Sequence, residues 1–231
     1  FIDFPCLNTK NERVLSRVLG QRTWLNGGSM KGQDILLLLK LVSLQRHEQV
    51  VSGTGLAGRK QEPRLIEYDD IEAYRQSLYT VRGLEKTTGI SKTQIADCIK
   101  RCTEIGLAGK DRKYGVPRVN TRSLLEFIIY GIKYVFPVKM GELTRGIATS
   151  FAAPILNEKL FSSGELIAVW PDESAKSKGL KVAPLFHSVP YAVRQDEDLY
   201  AMLALVDAIR LGSAREAGIA AKMLEAIFKE I

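Results

Sequence analysis

Between Ser91 and Leu107 the chain reads SKTQIADCIKRCTEIGL, and its apolar positions Ile95, Cys98, Ile99, Cys102 and Ile105 recur at i, i+3, i+4, i+7 and i+10. That spacing lines one stripe of an α-helix and no single face of a strand, so the segment is expected to be a helix with one side turned into a core. Ser91 suits its start, because a serine hydroxyl accepts from a backbone N–H that the first turn leaves without a partner. Gly106 suits its end, with Leu107 folding back onto the last turn. Upstream, Val81 and Leu84 supply a shorter apolar face that runs out at Gly89, and Ile90 comes next as a buried turn residue would. The outer face of the second helix carries Lys92, Thr93, Gln94, Ala96, Asp97, Lys100 and Arg101, and a knot of Lys, Arg and Gly from Lys110 to Arg118 comes after it.

Charge concentrates in the same place. Residues 91–122 hold eight basic and three acidic side chains, which is +5 of the net +7. A local excess of this kind makes a positive face whose natural partner is a polyanion. Helix, Gly-containing turn and a second helix with a polar outer face is the helix-turn-helix plan, in which the second helix lies in the major groove.

The segment resembles the winged helix-turn-helix family of bacterial DNA-binding regulators. Their recognition helices often read Ser, any residue, Ser or Thr, a polar residue and a buried aliphatic, matched here by Ser91, Lys92, Thr93, Gln94 and Ile95. Their Gly-Leu and basic wing are matched by EIGLAGKDRKYGVPRV. The likeness covers about residues 79–119 and extends loosely to Asp34–Leu44 as a first helix. It implies that Ser91, Lys92, Thr93, Gln94 and Lys100 meet bases or phosphates, Gln94 bridging adenine N6 and N7. It also implies that Lys110, Arg112, Lys113 and Arg118 grip the backbone and minor groove from the wing. Asp97 departs from the family, which often has a basic residue there; an acid repels phosphate unless it accepts from a cytosine amino group. The stretch from Leu44 to Leu78 is also longer than the family needs, and reads as a loop or small hairpin and then a short helix near Asp69–Leu78.

Beyond the basic knot, Asn120–Pro137 reads as one helix with Leu124, Leu125, Ile128, Ile132 and Val135 on its apolar face, ended by Pro137. PVKMGELTRGIATSFAAPIL lacks a clean period and is expected to be a loop, whose Thr144, Arg145, Thr149 and Ser150 make loop hydrogen bonds or hold an anion. Together with AVWPD and PLFHSVP, its LTRG, TS and AAP pieces resemble a little-characterised group of bacterial proteins described as regulators. That likeness would run from Met30 onward and implies DNA binding. Asp196–Leu211 reads as an apolar helix stopped by Gly212, and Ser213 with Glu216 forms a capping box for a last helix. Leu203, Leu205, Ile209, Ile219, Met223, Leu224 and Ile227 can finish a core or make a dimer seam.

The first 29 residues look foreign to the rest of the chain. Thr9 to Glu12 forms a capping box, and Val14, Leu15, Val18 and Leu19 make an amphipathic stripe. NGGS before Met30 reads like a joint, so Phe1 to Leu25 is either a linked peptide docking on the domain or a native extension covering its own core.

Several chemistries find no support in the residues. Cys6, Cys98 and Cys102 are irregularly spaced and form no disulfide framework, and the last two fall on the apolar stripe, where core is the expected role rather than a metal. With His47 and His187 the only histidines, no zinc site is expected. No nucleophile triad, phosphate-binding loop or dinucleotide Gly fingerprint appears, so neither an enzyme nor a cofactor is expected. The longest apolar run, Ile35–Leu39, is far short of the roughly 20 residues of a membrane span, and no signal pattern opens the sequence, so the expected location is cytoplasmic.

The expected fold is mainly α with a small β-hairpin wing (α+β). It divides into segment 1–29, a winged helix-turn-helix domain over 30–137 with an insertion at 45–78, and a C-terminal loop and helical region over 138–231. The expected function is a sequence-specific transcriptional regulator, a repressor or antitoxin-like autoregulator. It would act as a homodimer on double-stranded DNA. The alternative is a protein-interaction module whose winged scaffold binds a partner protein or peptide.

Overall fold

Two helices with apolar residues on every side decide where the core sits. The computed structural model describes residues 29–53, 68–112, 114–157 and 166–231. In α1 (Gly32–Gly53) the run Ile35–Leu39 together with Leu41 and Val42 is at most 1% exposed. Near the other end of the chain, every residue from Met202 to Arg210 is buried in the helix Glu197–Leu211. A helix that is apolar all round must be enclosed rather than laid on a surface. These two pack together at the centre, and the remaining elements wrap them.

In chain order α1 is followed by α2 (Tyr68–Leu78), α3 (Val81–Thr88), α4 (Lys92–Glu104), β1 (Ala108–Lys110), β2 (Pro117–Val119), α5 (Thr121–Tyr130) and α6 (Ile132–Val135). Then come β3 (Met140–Ala148), a 3-10 turn (Ser150–Ala152), α7 (Pro154–Asn157), β4 (Ile167–Pro171), β5 (Lys178–Val182), α8 (Val189–Val193), α9 (Glu197–Leu211) and α10 (Ala214–Lys229). Over the described residues the architecture is mixed α and β, dominated by helices with two small sheets. One contiguous core takes residues from both 30–137 and 138–231. No helix among the described residues is long and apolar enough to cross a membrane.

β1 and β2 form an antiparallel hairpin with Ala108 opposite Val119, Gly109 opposite Arg118 and Lys110 opposite Pro117. In the second sheet, β3 runs antiparallel first to β5 and then, from Gly146, to β4, while β4 and β5 pair in parallel, so the three strands close on one another. The segment expected as a loop after Pro137 is thus mostly regular structure, β3 followed by the 3-10 turn and α7. Its glycine content misleads, because a Cβ at Gly146 would lie 2.0 Å from the Trp170 carbonyl oxygen: the residue serves close strand contact, not a turn.

This sheet is mounted on α9 through a buried carboxylate. Asp207 accepts from Trp170 Nε1 at 2.6 Å, Thr149 Oγ1 at 3.1 Å and Arg210 Nη1 at 2.6 Å, and Arg210 Nε donates to the Phe136 carbonyl at 2.9 Å. A second buried pair locks α1 to the start of α9, where Lys40 Nζ and Ser43 Oγ each lie 2.7 Å from Asp196 Oδ2. Asp196 also caps α9, its Oδ1 accepting from the Leu199 N–H at 2.9 Å.

Other differences from expectation are local. The helix expected over 120–137 is broken at Gly131 into α5 and α6, and Val135 is 48% exposed instead of on the apolar face. α1 continues to Gly53, so residues 45–53 of the expected insertion are helical, while its remaining stretch up to 67 lies outside the described residues, as do Cys6 and the amphipathic segment Phe1–Leu25. Of the residues offered for a dimer seam, Leu203, Leu205, Ile209 and Leu224 are buried and Ile219, Met223 and Ile227 are half-buried. Among Thr144, Arg145, Thr149 and Ser150, Thr149 makes a buried hydrogen bond, whereas Ser150 takes φ 54° and its buried hydroxyl has no partner among the described residues.

Candidate nucleic-acid interface

Local sequence positions α3 and α4. Thr80 caps α3 by accepting from the Gly83 N–H at 3.1 Å, and the helix ends at Gly89, whose φ of 68° suits a residue without Cβ. Ile90 is fully buried in the turn. Ser91 then caps α4, and Gln94 completes a capping box by accepting from the Ser91 N–H at 3.3 Å. At the other end the Leu107 N–H donates to the Cys102 carbonyl at 2.9 Å and the Gly106 N–H to that of Thr103 at 3.2 Å, a Schellman closure.

The stripe points inward at Ile95, Cys98 and Cys102, which are buried, and half-buries Ile99, but Ile105 at the helix end is 46% exposed. Burial, followed for Cys98 by hydrogen bonding to Asp34 and for Cys102 by the Asp34 charge, pushes both thiols up to about 12, so they stay protonated at neutral pH. Behind the helix, fully buried Asp34 takes Arg101 in two hydrogen bonds, from Nε at 3.1 Å and Nη2 at 2.6 Å. Gln33 Nε2 meets Cys98 Sγ at 3.4 Å. These contacts fix α4 against the N-terminal turn of α1.

Facing solvent are Lys92, Thr93, Ala96, Asp97 and Lys100. Lys92 stands 3.6 Å from Glu85, a loose exposed pair, while Thr93, Asp97 and Lys100 have no partner among the described residues. Gln94 differs from expectation: its amide is turned back into the cap and toward Gln33 Oε1 at 3.4 Å, so it is not presented to a base edge. Ser91 is likewise occupied by the cap, its hydroxyl 3.0 Å from Gln94 Oε1.

On the hairpin, Lys110 and Arg112 are exposed and unpaired among the described residues, and Lys113 lies outside them. Arg118 departs from expectation, because it faces the body of the protein. Its Nη1 sits 2.6 Å from Glu48 Oε2 and 3.0 Å from the Tyr79 hydroxyl, and its guanidinium lies 5.0 Å from the Tyr79 ring centroid. Burial first and then Glu48 push the Tyr79 phenol above its ordinary value. Arg118 therefore fastens the hairpin to α1 instead of reaching outward, aided by Val119 N–H donating to Gln45 Oε1 at 3.0 Å.

Two contributors were missed by sequence reasoning. Arg82 and Lys86 on α3 are exposed without carboxylate partners among the described residues, and helical spacing relative to Leu84 and Thr88 could have placed them outward. The second is α8, which latches onto the turn from the C-terminal region. Ser188 Oγ donates to the Thr88 carbonyl at 2.7 Å and the Tyr191 hydroxyl to that of Lys86 at 2.8 Å. No local signal announces such a contact. In comparisons with known proteins, no family model, curated protein or solved structure matches this chain.

Proposed function

We propose that this chain is a DNA-binding regulator in which α3, α4 and the β1–β2 hairpin act as a winged helix-turn-helix, with α4 entering the major groove. The observation that carries this reading is the exposed face Lys92, Thr93, Asp97 and Lys100 beside a hairpin with exposed Lys110 and Arg112, all but Lys92 unpaired among the described residues. Thr93 and Asp97 read base edges, Asp97 accepting from a cytosine amino group. Lys100, Lys110 and Arg112 hold phosphates. Repression of its own promoter is the role that suits such a reader.

Titration against a duplex from upstream of its own gene, over a range of salt, tests this. Each phosphate contact contributes about 0.9 to the slope of log affinity against log salt, so Lys100→Ala, Lys110→Ala and Arg112→Ala each flatten it by about that amount. Asp97→Ala should leave the slope alone and relax base preference at one position by about 1–3 kcal/mol. Binding that ignores salt, or the three charge removals, sinks the proposal. A second reading, a scaffold for a protein partner, has in its favour the exposure of Tyr130 at 75% and Tyr134 at 82%, one helical turn apart across the α5–α6 break. It predicts a co-purifying protein that Tyr134→Ala releases, and no shift of DNA.

A further inference from the structure

In the second sheet, Arg145 of β3 stands directly opposite Lys178 of β5. Both side chains are exposed, and neither has a carboxylate partner among the described residues. Directly opposed residues of an antiparallel pair hold their Cβ atoms only about 5 Å apart, so like charges there repel. The fold itself gains nothing from this arrangement, whereas an anion lying across the two strands would be held by both cations. Lys176 and Lys181, also exposed, flank the pair along the chain. Of the nearby acids, Asp172 is already engaged by Arg194 at 2.7 Å and by the Ser174 N–H and hydroxyl at 2.9 and 2.7 Å. Glu142 and Glu173 are exposed and pair with neither cation.

The patch is tied to the α3–α4 turn by a short chain of contacts. The Arg145 carbonyl accepts from the Asp172 N–H at 3.0 Å, Asp172 pairs with Arg194, and Arg194 closes α8, which is bonded to the carbonyls of Lys86 and Thr88. α8 has five residues, a length of about 7.5 Å at 1.5 Å per residue. We propose that Arg145 and Lys178 form a second phosphate-binding patch, which grips the duplex backbone beside the stretch that α4 enters. The site on DNA is then longer than the helix and hairpin cover alone. This inference rests on the DNA-binding reading of α4.

The test uses the full chain, a duplex from upstream of its own gene and a scrambled duplex of equal length. Arg145→Ala with Lys178→Ala should lower the salt slope by about 1.8, two contacts at 0.9 each, on both duplexes, and shorten the footprint at one end. Lys178→Glu should weaken DNA binding and raise the thermal midpoint, because the cross-strand pair becomes attractive. A merely damaged sheet would lower that midpoint. If the double variant keeps the slope and footprint while Lys100→Ala loses slope, the patch is overturned and the α4 reading stands. If the unaltered chain binds neither duplex, both fall.

Discussion

Lys40→Met isolates the buried pair that joins the two central helices. Lys40 and Asp196 side chains are 7% and 2% exposed, and the ammonium lies 2.7 Å from Asp196 Oδ2. Methionine keeps the length of the side chain and removes its charge. Breaking a buried pair by deleting one partner costs about 3–5 kcal/mol, since a charge is left without compensation. Here Ser43 Oγ and the Leu199 N–H still donate to the carboxylate, which places the loss near the lower end, about 3 kcal/mol. With a denaturant dependence of about 3 kcal/mol per molar urea, the unfolding midpoint falls by about 1 M.

The pH dependence supplies the sign. Burial opposes ionisation of Asp196, but Lys40, Leu199 and Ser43 together hold its carboxyl below the ordinary range. A depressed folded pKa stabilises above the unfolded value near 3.9 and loses that contribution as pH falls through the folded value. Without Lys40 burial prevails, the folded pKa rises above the unfolded one, and protonation now favours the folded state. The gap between the parent and Lys40→Met should therefore be widest near neutrality and narrow as the pH falls toward 5. Adding Asp196→Asn to Lys40→Met should recover stability, as asparagine caps a helix about as well without carrying a charge. Urea unfolding followed by circular dichroism at both pH values reads all of this. A neutral-pH loss under about 1 kcal/mol, or one that does not change with pH, would refute the account.

In a chain carrying Cys6→Ser, Cys98 and Cys102 should resist thiol reagents until unfolding, because both are buried with their thiols pushed up to about 12; rapid native-state labelling would contradict this. Gly89→Ala should destabilise more than Gly106→Ala, though both have positive φ. A Cβ at 89 meets Ser188 Cβ at 3.0 Å and the Tyr191 ring at 3.1 Å, whereas at 106 nothing lies within 4 Å, so losses of about 2 and about 1 kcal/mol are expected from urea midpoints. Arg118→Ala should lower stability by about 1–2 kcal/mol and leave the DNA salt slope unchanged, opposite to Lys110→Ala; a flattened slope would return Arg118 to the interface.

The elements legible in the sequence are those whose causes lie within one turn of the chain. Ser91, the Ile95–Cys102 stripe and Gly106 announce α4, and Ser213 with Glu216 announces α10, because caps and helical faces depend on residues three or four apart. β3 was illegible for the converse reason. Its partners Lys178–Leu180 and Val169–Pro171 lie more than twenty residues away, and its glycines carry loop composition while serving close strand contact.

The candidate site divides along the same line. Residue types and helical period alone place Lys92, Thr93, Asp97 and Lys100 on one outward face and the two cysteines inside. Only tertiary structure decides which polar groups on that motif remain available: Gln33 claims the Gln94 amide nitrogen, Asp34 claims Arg101, and Glu48 claims Arg118. Each of these partners sits on α1, more than sixty residues earlier. A helical face is set by the backbone repeat, whereas an ion pair is set by whatever charge the fold brings within about 3 Å, and no local pattern encodes that distance.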